Sequence, residues 1–138
     1  MKKVILDQEM FGLSSLMERL TGTRVKDCFR DDEGSIYFVV EKGFLGKAVG
    51  KGGVNIKKAE KKFGKKIRVI EYRDNAVDFV KNIIYPIKVE DITEEKDAVM
   101  IKDSNRKTKS AIIGRGGKRL QLINRAVKRF FNKEVKVV

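Results

Sequence analysis

The sequence predicts an α+β protein (α/β in the broad sense) built from two similar units, each with the order helix, strand, strand, helix, helix, strand. Two observations predict this fold. Residues 48–53, AVGKGG, recur 64 residues later as residues 112–117, IIGRGG. In each copy, the glycines follow a short helical segment and precede a longer periodic helix that ends in a strand. The repeat therefore indicates one unit of about 70 residues, near the lower limit for independent folding, present twice.

Apolar spacing and turn residues give the elements of the first copy. In order, they are a helix over 9–21, strands over 24–30 and 35–40, a short helix over 43–49, a helix over 54–63 and a strand over 66–72. The first helix is predicted from the apolar residues Phe11, Leu13, Leu16, Met17 and Leu20. Gly22 and Gly64 are placed to end the two longer helices. Residues 50–53, the first glycine turn, connect the short helix to the next one.

The second copy repeats this order. In order, its elements are a helix over 74–85, strands over 87–93 and 98–102, a short helix over 107–113, a helix over 118–131 and a strand over 134–138. Asp74 is the predicted N-cap of its first helix, and Pro86 ends that helix. Residues 114–117 form the second glycine turn. Almost no linker separates the two copies.

Positive charge is concentrated around the two glycine turns. The net charge is +13. Residues 42–68 hold ten Lys and Arg against Glu60, a balance of +9, and residues 102–136 hold twelve against Asp103 and Glu134, a balance of +10. The rest of the chain therefore carries −6. This distribution predicts a polyanionic partner; a general lysine enrichment for solubility or thermal adaptation is the alternative interpretation.

Composition argues against catalysis and against a bound metal or cofactor. The chain has no histidine, which removes the usual general base and the commonest metal ligand. Cys28 is the single cysteine and lies in a predicted strand, which favours a buried apolar role and a reducing compartment. The acids cluster in hairpin turns, where they are typical solvated charges. We therefore expect no enzyme activity, no cofactor and no metal site.

Membrane attachment is not expected either. No apolar run approaches the roughly 18 residues of a membrane span, and residues 1–7 have too short an apolar core for a signal peptide. The lysine-rich helix near residues 57–66 has no apolar face to insert, since Ile56, Ala59 and Phe63 are needed for the core. We expect a cytoplasmic protein.

Each glycine turn has the chemistry of a phosphate site. The first N–H groups of the following helix lack partners within it, and the helix dipole adds positive potential there. Glycine permits close approach of another backbone, and Lys51 and Arg115 each add a full charge. A Walker loop does not fit, and Asn55 and Arg119 stand where a dinucleotide fingerprint needs its third glycine. A purely structural helix–helix corner remains the other interpretation.

The segments around both turns resemble the hallmark of the KH domain, an aliphatic residue followed by Gly-x-x-Gly-x-x-aliphatic. They read VGKGGVNI over residues 49–56 and IGRGGKRL over residues 113–120. The element order resembles the type II variant, which implies a three-stranded sheet with helices on one face and a clamp for about four nucleotides of single-stranded RNA. Ile56 and Leu120 could line the base groove or the core. The residues implied in RNA binding are Lys47, Val49, Gly50, Lys51, Gly52, Gly53, Asn55, Lys57, Ile113, Gly114, Arg115, Gly116, Gly117, Lys118 and Arg119.

Further segments resemble the archaeal NusA-type transcription factors, a family with two tandem type II KH domains. They are LTG at 20–22, VKDC at 25–28, VIEY at 69–72 and FVKNI at 79–83. The resemblance covers nearly the whole chain and implies a first KH domain at 1–73 and a second at 74–138.

The implied function is non-catalytic binding of nascent single-stranded RNA over both turns, in transcription elongation, termination or antitermination. A KH protein of ribosome assembly or translation is the alternative. The expected partners are single-stranded RNA and, as a second candidate, RNA polymerase or its elongation complex. We expect a monomer.

Overall fold

The chain forms two compact units, Met1–Tyr72 and Arg73–Val138. The computed structural model describes the backbone of residues 2–138 and the side chains of residues 9–138. Both units have the predicted order of helices and strands, and each contains a three-stranded sheet. Within residues 2–138, no helix has the length and apolar character that crossing a membrane requires.

The first unit is a hairpin followed by a helical crossover. Its elements are α1 (Lys2–Thr21), β1 (Val25–Arg30), β2 (Ile36–Val40), α2 (Leu45–Val49), α3 (Val54–Phe63) and β3 (Ile67–Glu71). β1 and β2 pair antiparallel, β2 and β3 pair parallel, and the sheet order is β1-β2-β3. A parallel return needs a long connection, which α2 and α3 supply. The first glycine turn lies in the middle of that connection.

One face of this sheet packs against α1 and α3. The register places Cys28 opposite Phe38, and both side chains join a core with Met17 of α1 and Ala59 of α3. Ile56 also packs against this core, so its role in packing is established. Cys28 is buried, as the sequence predicts, and its Sγ lies 3.7 Å from the Sδ of Met10.

The predicted start of α1 was wrong, because the helix begins at Lys2 rather than at residue 9. Phe11, one of the apolar residues from which the helix is predicted, is 76% exposed. Met10 and Leu13 pack against the core. The packed stripe follows the i, i+3, i+7 spacing of a helix from Met10, and Phe11 lies one step of about 100° away from it.

The second unit has the same topology. Its elements are α4 (Ala76–Ile84), β4 (Asp91–Glu94), β5 (Ala98–Lys102), α5 (Arg106–Ile113), α6 (Lys118–Phe131) and β6 (Glu134–Val137). β4 and β5 pair antiparallel, β5 and β6 pair parallel, and the order is β4-β5-β6. Buried Phe79 of α4 contacts two rings of α6, with centroid distances of 5.6 Å to Phe130 and 5.8 Å to Phe131.

Two predictions for the second unit were wrong. The N-cap of α4 is Asn75, whose Oδ1 accepts a hydrogen bond from Asp78 N at 2.8 Å, and not Asp74. The first strand begins at Asp91 rather than at residue 87: pairing with β5 starts at Asp91 opposite Lys102, and the N–H of Glu90, one residue earlier, donates to Asp103 Oδ2 at 3.1 Å. The other predicted boundaries agree with the observed ones to within two residues.

Candidate nucleic-acid interface at the two glycine turns

The two glycine turns have the same backbone conformation. Each ends a short helix, continues through a single 3₁₀ turn and enters a longer helix, α3 or α6. The glycine φ angles are 79°, 63° and 77° at Gly50, Gly52 and Gly53, and 76°, 63° and 76° at Gly114, Gly116 and Gly117. The repeat seen in the sequence is therefore also a repeat of local geometry.

The first glycine of each turn is required by its backbone angles and by its neighbours. Gly50 has ψ of 165° and Gly114 has ψ of 172°, which with positive φ is a region that only glycine occupies readily. A Cβ at Gly50 would lie 2.9 Å from the backbone nitrogen of Asn55. A Cβ at Gly114 would lie 2.6 Å from the Cβ of Arg119. The turn thus packs directly on the first residues of the following helix.

The last two glycines of each turn face open space. A Cβ at Gly52, Gly53, Gly116 or Gly117 would have no described atom within 4 Å. Their positive φ angles suit glycine, but no packing within the unit requires it there. This part of each turn is free to receive the backbone of a ligand.

At each turn, some backbone N–H groups have no acceptor among the residues that the structure describes. In the first turn, Gly53 N donates to Gly50 O at 3.0 Å and Val54 N donates to Lys51 O. Among the described residues, no acceptor is found for the N–H groups of Lys51 and Gly52. The second turn repeats this pattern, with Gly117 N donating to Gly114 O at 3.1 Å. No side chain caps α3 or α6, so an external anion can take that place.

The basic residues predicted around the turns have different surroundings. Lys51 and Arg115 are exposed at the tips and, within the described part of the chain, have no ion-pair partner. Lys57 is exposed on α3, and Lys118 is exposed at the start of α6. Lys47 extends over the end of α1, since a Cβ at Gly22 would lie 3.2 Å from its Cε. Val49 and Ile113, the aliphatic residues before the turns, are half-buried.

Asn55 and Arg119 hold the helices on either side of each turn together. The Nδ2 of Asn55 donates to Lys47 O in α2 at 2.8 Å. At the equivalent place in the second unit, Arg119 Nη1 lies 3.5 Å from Ala111 O in α5. Both bonds satisfy a carbonyl in the last turn of a helix, where intrahelical partners are missing. Two residues that the sequence suggests as RNA contacts thus also have a bracing role.

We expect Asn55→Leu to weaken RNA binding several-fold and to lower the stability of the first unit by about 1 kcal/mol. The leucine keeps the size of the side chain but leaves the carbonyl of Lys47 without its donor. Asn55→Arg, which copies the residue at position 119, should retain both the RNA affinity and the stability of the first unit. Urea unfolding and fluorescence anisotropy of the two variants provide the test, and equal behaviour of the leucine and arginine variants would exclude the bracing role.

Two apolar side chains beside the first turn were missed by the sequence reasoning. Leu45 at the start of α2 is 37% exposed, and Val54 immediately after the turn is 42% exposed. Position 54 corresponds to Lys118 in the second unit, so the two turns offer different surfaces beside the same backbone. The sequence does contain a signal for Val54, because the two copies differ at this position: an aliphatic residue follows the last glycine in the first copy, and a lysine follows it in the second.

Other described surfaces are weaker candidates for a binding site. Tyr85 is 74% exposed beside a cavity of about 360 Å³ in the second unit. Two lysines and two acids line that cavity, so its charge is balanced. Among the residues described, no group of three or more Cys, Asp or Glu is arranged to hold a metal ion.

The fold and the turns define a protein of the KH class, and comparison with known proteins agrees. The profile of the KH domain matches residues 14–97, which include the first glycine turn. The second turn lies beyond the matched residues.

Comparison with whole proteins gives a narrower assignment. A protein of Methanococcus vannielii named "Probable transcription termination protein NusA" is 44% identical over 128 residues, covering 91% of this chain and 72% of the relative. One of the same name from Methanocaldococcus jannaschii is 38% identical over 132 residues, covering 94% and 72%. A solved structure, "Crystal structure of APE1850", is 30% identical with a TM-score of 0.74, covering 95% of this chain and 99% of that one. The chain therefore belongs to the KH-domain family and, within it, to the family of archaeal NusA proteins.

Proposed function

We propose that this chain is a non-catalytic, RNA-binding transcription factor that clamps single-stranded RNA on both glycine turns. In this proposal, the two compact units are two KH domains, residues 1–73 and 74–138. The observation that carries it is the repeated turn, with unpaired backbone N–H groups, open glycines and a basic tip in both units. A purely structural corner needs the first glycine only.

The phosphates of the bound strand would pass over the open side of each turn. In the first unit, the N–H groups of Lys51 and Gly52 would donate to phosphate oxygens, and the ammonium of Lys51 would add a charge-assisted bond. Bases would lie beside the following helix, where Val54 and Leu45 expose apolar surface. In the second unit, Lys118 replaces Val54, so that the second turn depends more on phosphate contacts. Contacts to 2′-hydroxyls would favour RNA over DNA.

A role in transcription is proposed from the relatives, which are named as probable transcription termination proteins. The RNA would then be the nascent transcript, and RNA polymerase or its elongation complex is the second proposed partner. No relative named above points to the ribosome, and the alternative in ribosome assembly is therefore not favoured. Copurification of the tagged chain with polymerase subunits, and not with ribosomal particles, is the expected result.

The test of RNA binding is fluorescence anisotropy with a short single-stranded RNA and the DNA of the same sequence, over a salt series. We expect about tenfold or greater preference for RNA, because a DNA strand lacks the 2′-hydroxyl contacts. Affinity should fall with salt but persist, since part of it comes from uncharged contacts. Equal binding of RNA and DNA that disappears at high salt would mean nonspecific attraction to a protein of net charge +13.

A further inference from the structure

A dense group of lysines lies beyond the first glycine turn and outside the clamp described above. We define the α3 lysine cluster as Lys58, Lys61, Lys62, Lys65 and Lys66. All five side chains are exposed. None has an ion pair or a hydrogen bond from its ammonium group to a described residue. The cluster is therefore a concentration of positive charge on one unit.

Three members of the cluster, Lys58, Lys61 and Lys62, lie on the face of α3 that points away from the core, and Lys65 and Lys66 lie in the connection between α3 and β3. Ala59 is fully buried, and Ile56 and Phe63 pack beside it, so these three positions face the sheet. Lys58, Lys61 and Lys62 are spaced i, i+3 and i+4 and lie on the other face of the helix. With a rise of about 1.5 Å per residue, Lys61 lies roughly 10 Å along the axis from Val54, the first residue after the turn. The cluster therefore lies beyond the turn along the helix, where a strand longer than the roughly four nucleotides held on the turn can reach it.

Among the described residues, no acid forms an ion pair with a lysine of the cluster, although the Nζ of Lys65 lies beside Gly34 at the end of the acidic turn 31–34. The acidic residue of α3 is Glu60, and its Oε2 accepts a hydrogen bond from Ile67 N at 3.1 Å, at the start of β3. Like charges at i+3 and i+4 destabilise a helix, so the arrangement works against folding. Elsewhere the chain does pair lysines: Lys133 Nζ lies 2.8 Å from Glu94 Oε2. Solubility alone does not require unpaired lysines to be adjacent.

We propose that the α3 lysine cluster is a second RNA-backbone surface, which holds the part of the strand that continues beyond the first glycine turn. The inference rests on the proposed function. RNA is favoured over a lipid surface because the apolar residues of α3 beyond the turn are packed in the core and cannot insert. It is favoured over an acidic protein because the cluster contains no aromatic or aliphatic anchor of the kind that dominates protein interfaces.

The test compares two variants with the same reduction in charge. The cluster variant is Lys58→Gln/Lys61→Gln/Lys62→Gln/Lys65→Gln. The control variant is Lys81→Gln/Lys88→Gln/Lys96→Gln/Lys102→Gln, four exposed lysines of the second unit. Binding of a short single-stranded RNA of about four nucleotides, the length one turn holds, and of one about four times as long is measured by anisotropy over a salt series with the full chain.

We expect the cluster variant to bind the longer RNA at least about tenfold more weakly and to bind the shorter RNA as the wild type does. Its slope of log affinity against log salt should decrease in magnitude by about 2 to 3, because each phosphate that is no longer neutralised lowers the slope by about 0.7. The control variant should keep most of the slope. The melting temperature of the cluster variant should be unchanged or higher, because repulsion within α3 is removed.

The inference is overturned if both variants bind the longer RNA equally weakly, since net charge alone would then account for the effect. It is also overturned if the cluster variant keeps RNA affinity but no longer binds phosphatidylserine vesicles, or if its melting temperature falls. Failure of the wild type to bind either RNA would contradict the proposed function. RNA binding that depends on the turn but not on the cluster would overturn the present inference alone.

Discussion

Replacing Gly114 with alanine should lower the stability of the second unit by about 2 to 4 kcal/mol and abolish its RNA site. The new Cβ would lie 2.6 Å from the Cβ of Arg119 and 2.9 Å from its backbone nitrogen. Relief would require α6 to move, because both contacts are close to its main chain. The backbone angles add strain of their own, since φ of 76° with ψ of 172° is unfavourable for any residue with a Cβ.

The matched control is Gly116→Ala, two residues further along the same turn. Gly116 also has positive φ, but its ψ is 19°, and its Cβ would meet nothing within 4 Å. That variant should be destabilised by only about 1 kcal/mol, the ordinary cost of a left-handed conformation. Urea unfolding followed by circular dichroism measures both. Equal destabilisation would show that close packing of the first glycine against α6 does not decide the conformation of the turn.

The same pair of substitutions at Gly50 and Gly52 should give a smaller contrast in the first unit. The nearest atoms to a Cβ at Gly50 are at 2.9 Å, among them the Cγ1 of Val54, which can rotate away. The backbone nitrogen of Asn55 at the same distance cannot. We therefore expect Gly50→Ala to cost less than Gly114→Ala but more than Gly52→Ala.

Most of the fold could be predicted from the sequence because its signals are local. These signals are the glycines that end helices, the apolar pattern of the strands and the apolar stripes of the helices, and each acts within a few residues. Because the unit is repeated, each element could be predicted independently in two copies. The exceptions were not decided by these signals. Asp74 and Asn75 are both good N-caps by residue type, and the structure shows that Asn75 accepts the bond from Asp78 N. The late start of β4 coincides with a bond from Glu90 N to Asp103, which is distant in sequence.

In the candidate site too, the features set by local sequence could be predicted and those set by contacts between elements could not. The glycine turns were predictable because positive φ angles and unpaired N–H groups follow from the glycines and from the helix start. The bond from Asn55 to Lys47 O was not, since it joins two helices across the turn. Nor does the sequence show that Glu60 is engaged with Ile67 N rather than with neighbouring lysines. Hydrogen bonds from a side chain to a residue in another helix or strand could be identified only in the structure.

Charge reversal at the tip of the first turn, by Lys51→Asp/Gly52→Asp, should weaken binding of single-stranded RNA by on the order of 100-fold. Both side chains would place carboxylates beside the N–H groups that are proposed to hold phosphate. The fold should persist, because position 52 opens to solvent and aspartate tolerates positive φ better than most residues. A charge-matched control is Lys88→Gln/Lys96→Asp, which also changes the net charge by three and should cost far less affinity.

The equivalent change in the second unit, Arg115→Asp/Gly116→Asp, tests whether the second glycine turn binds RNA as well as the first. The backbone of the two turns is the same, but Val54 stands beside the first and Lys118 beside the second. If both variants bind RNA more weakly, both units bind RNA. The binding that remains in the first-turn variant, which comes from the second unit, should then show the steeper salt dependence, because more contacts of the second unit are charged. If only one variant binds more weakly, the other unit is mainly structural. If neither differs from the charge-matched control, the glycine turns are corners between helices and the clamp is excluded.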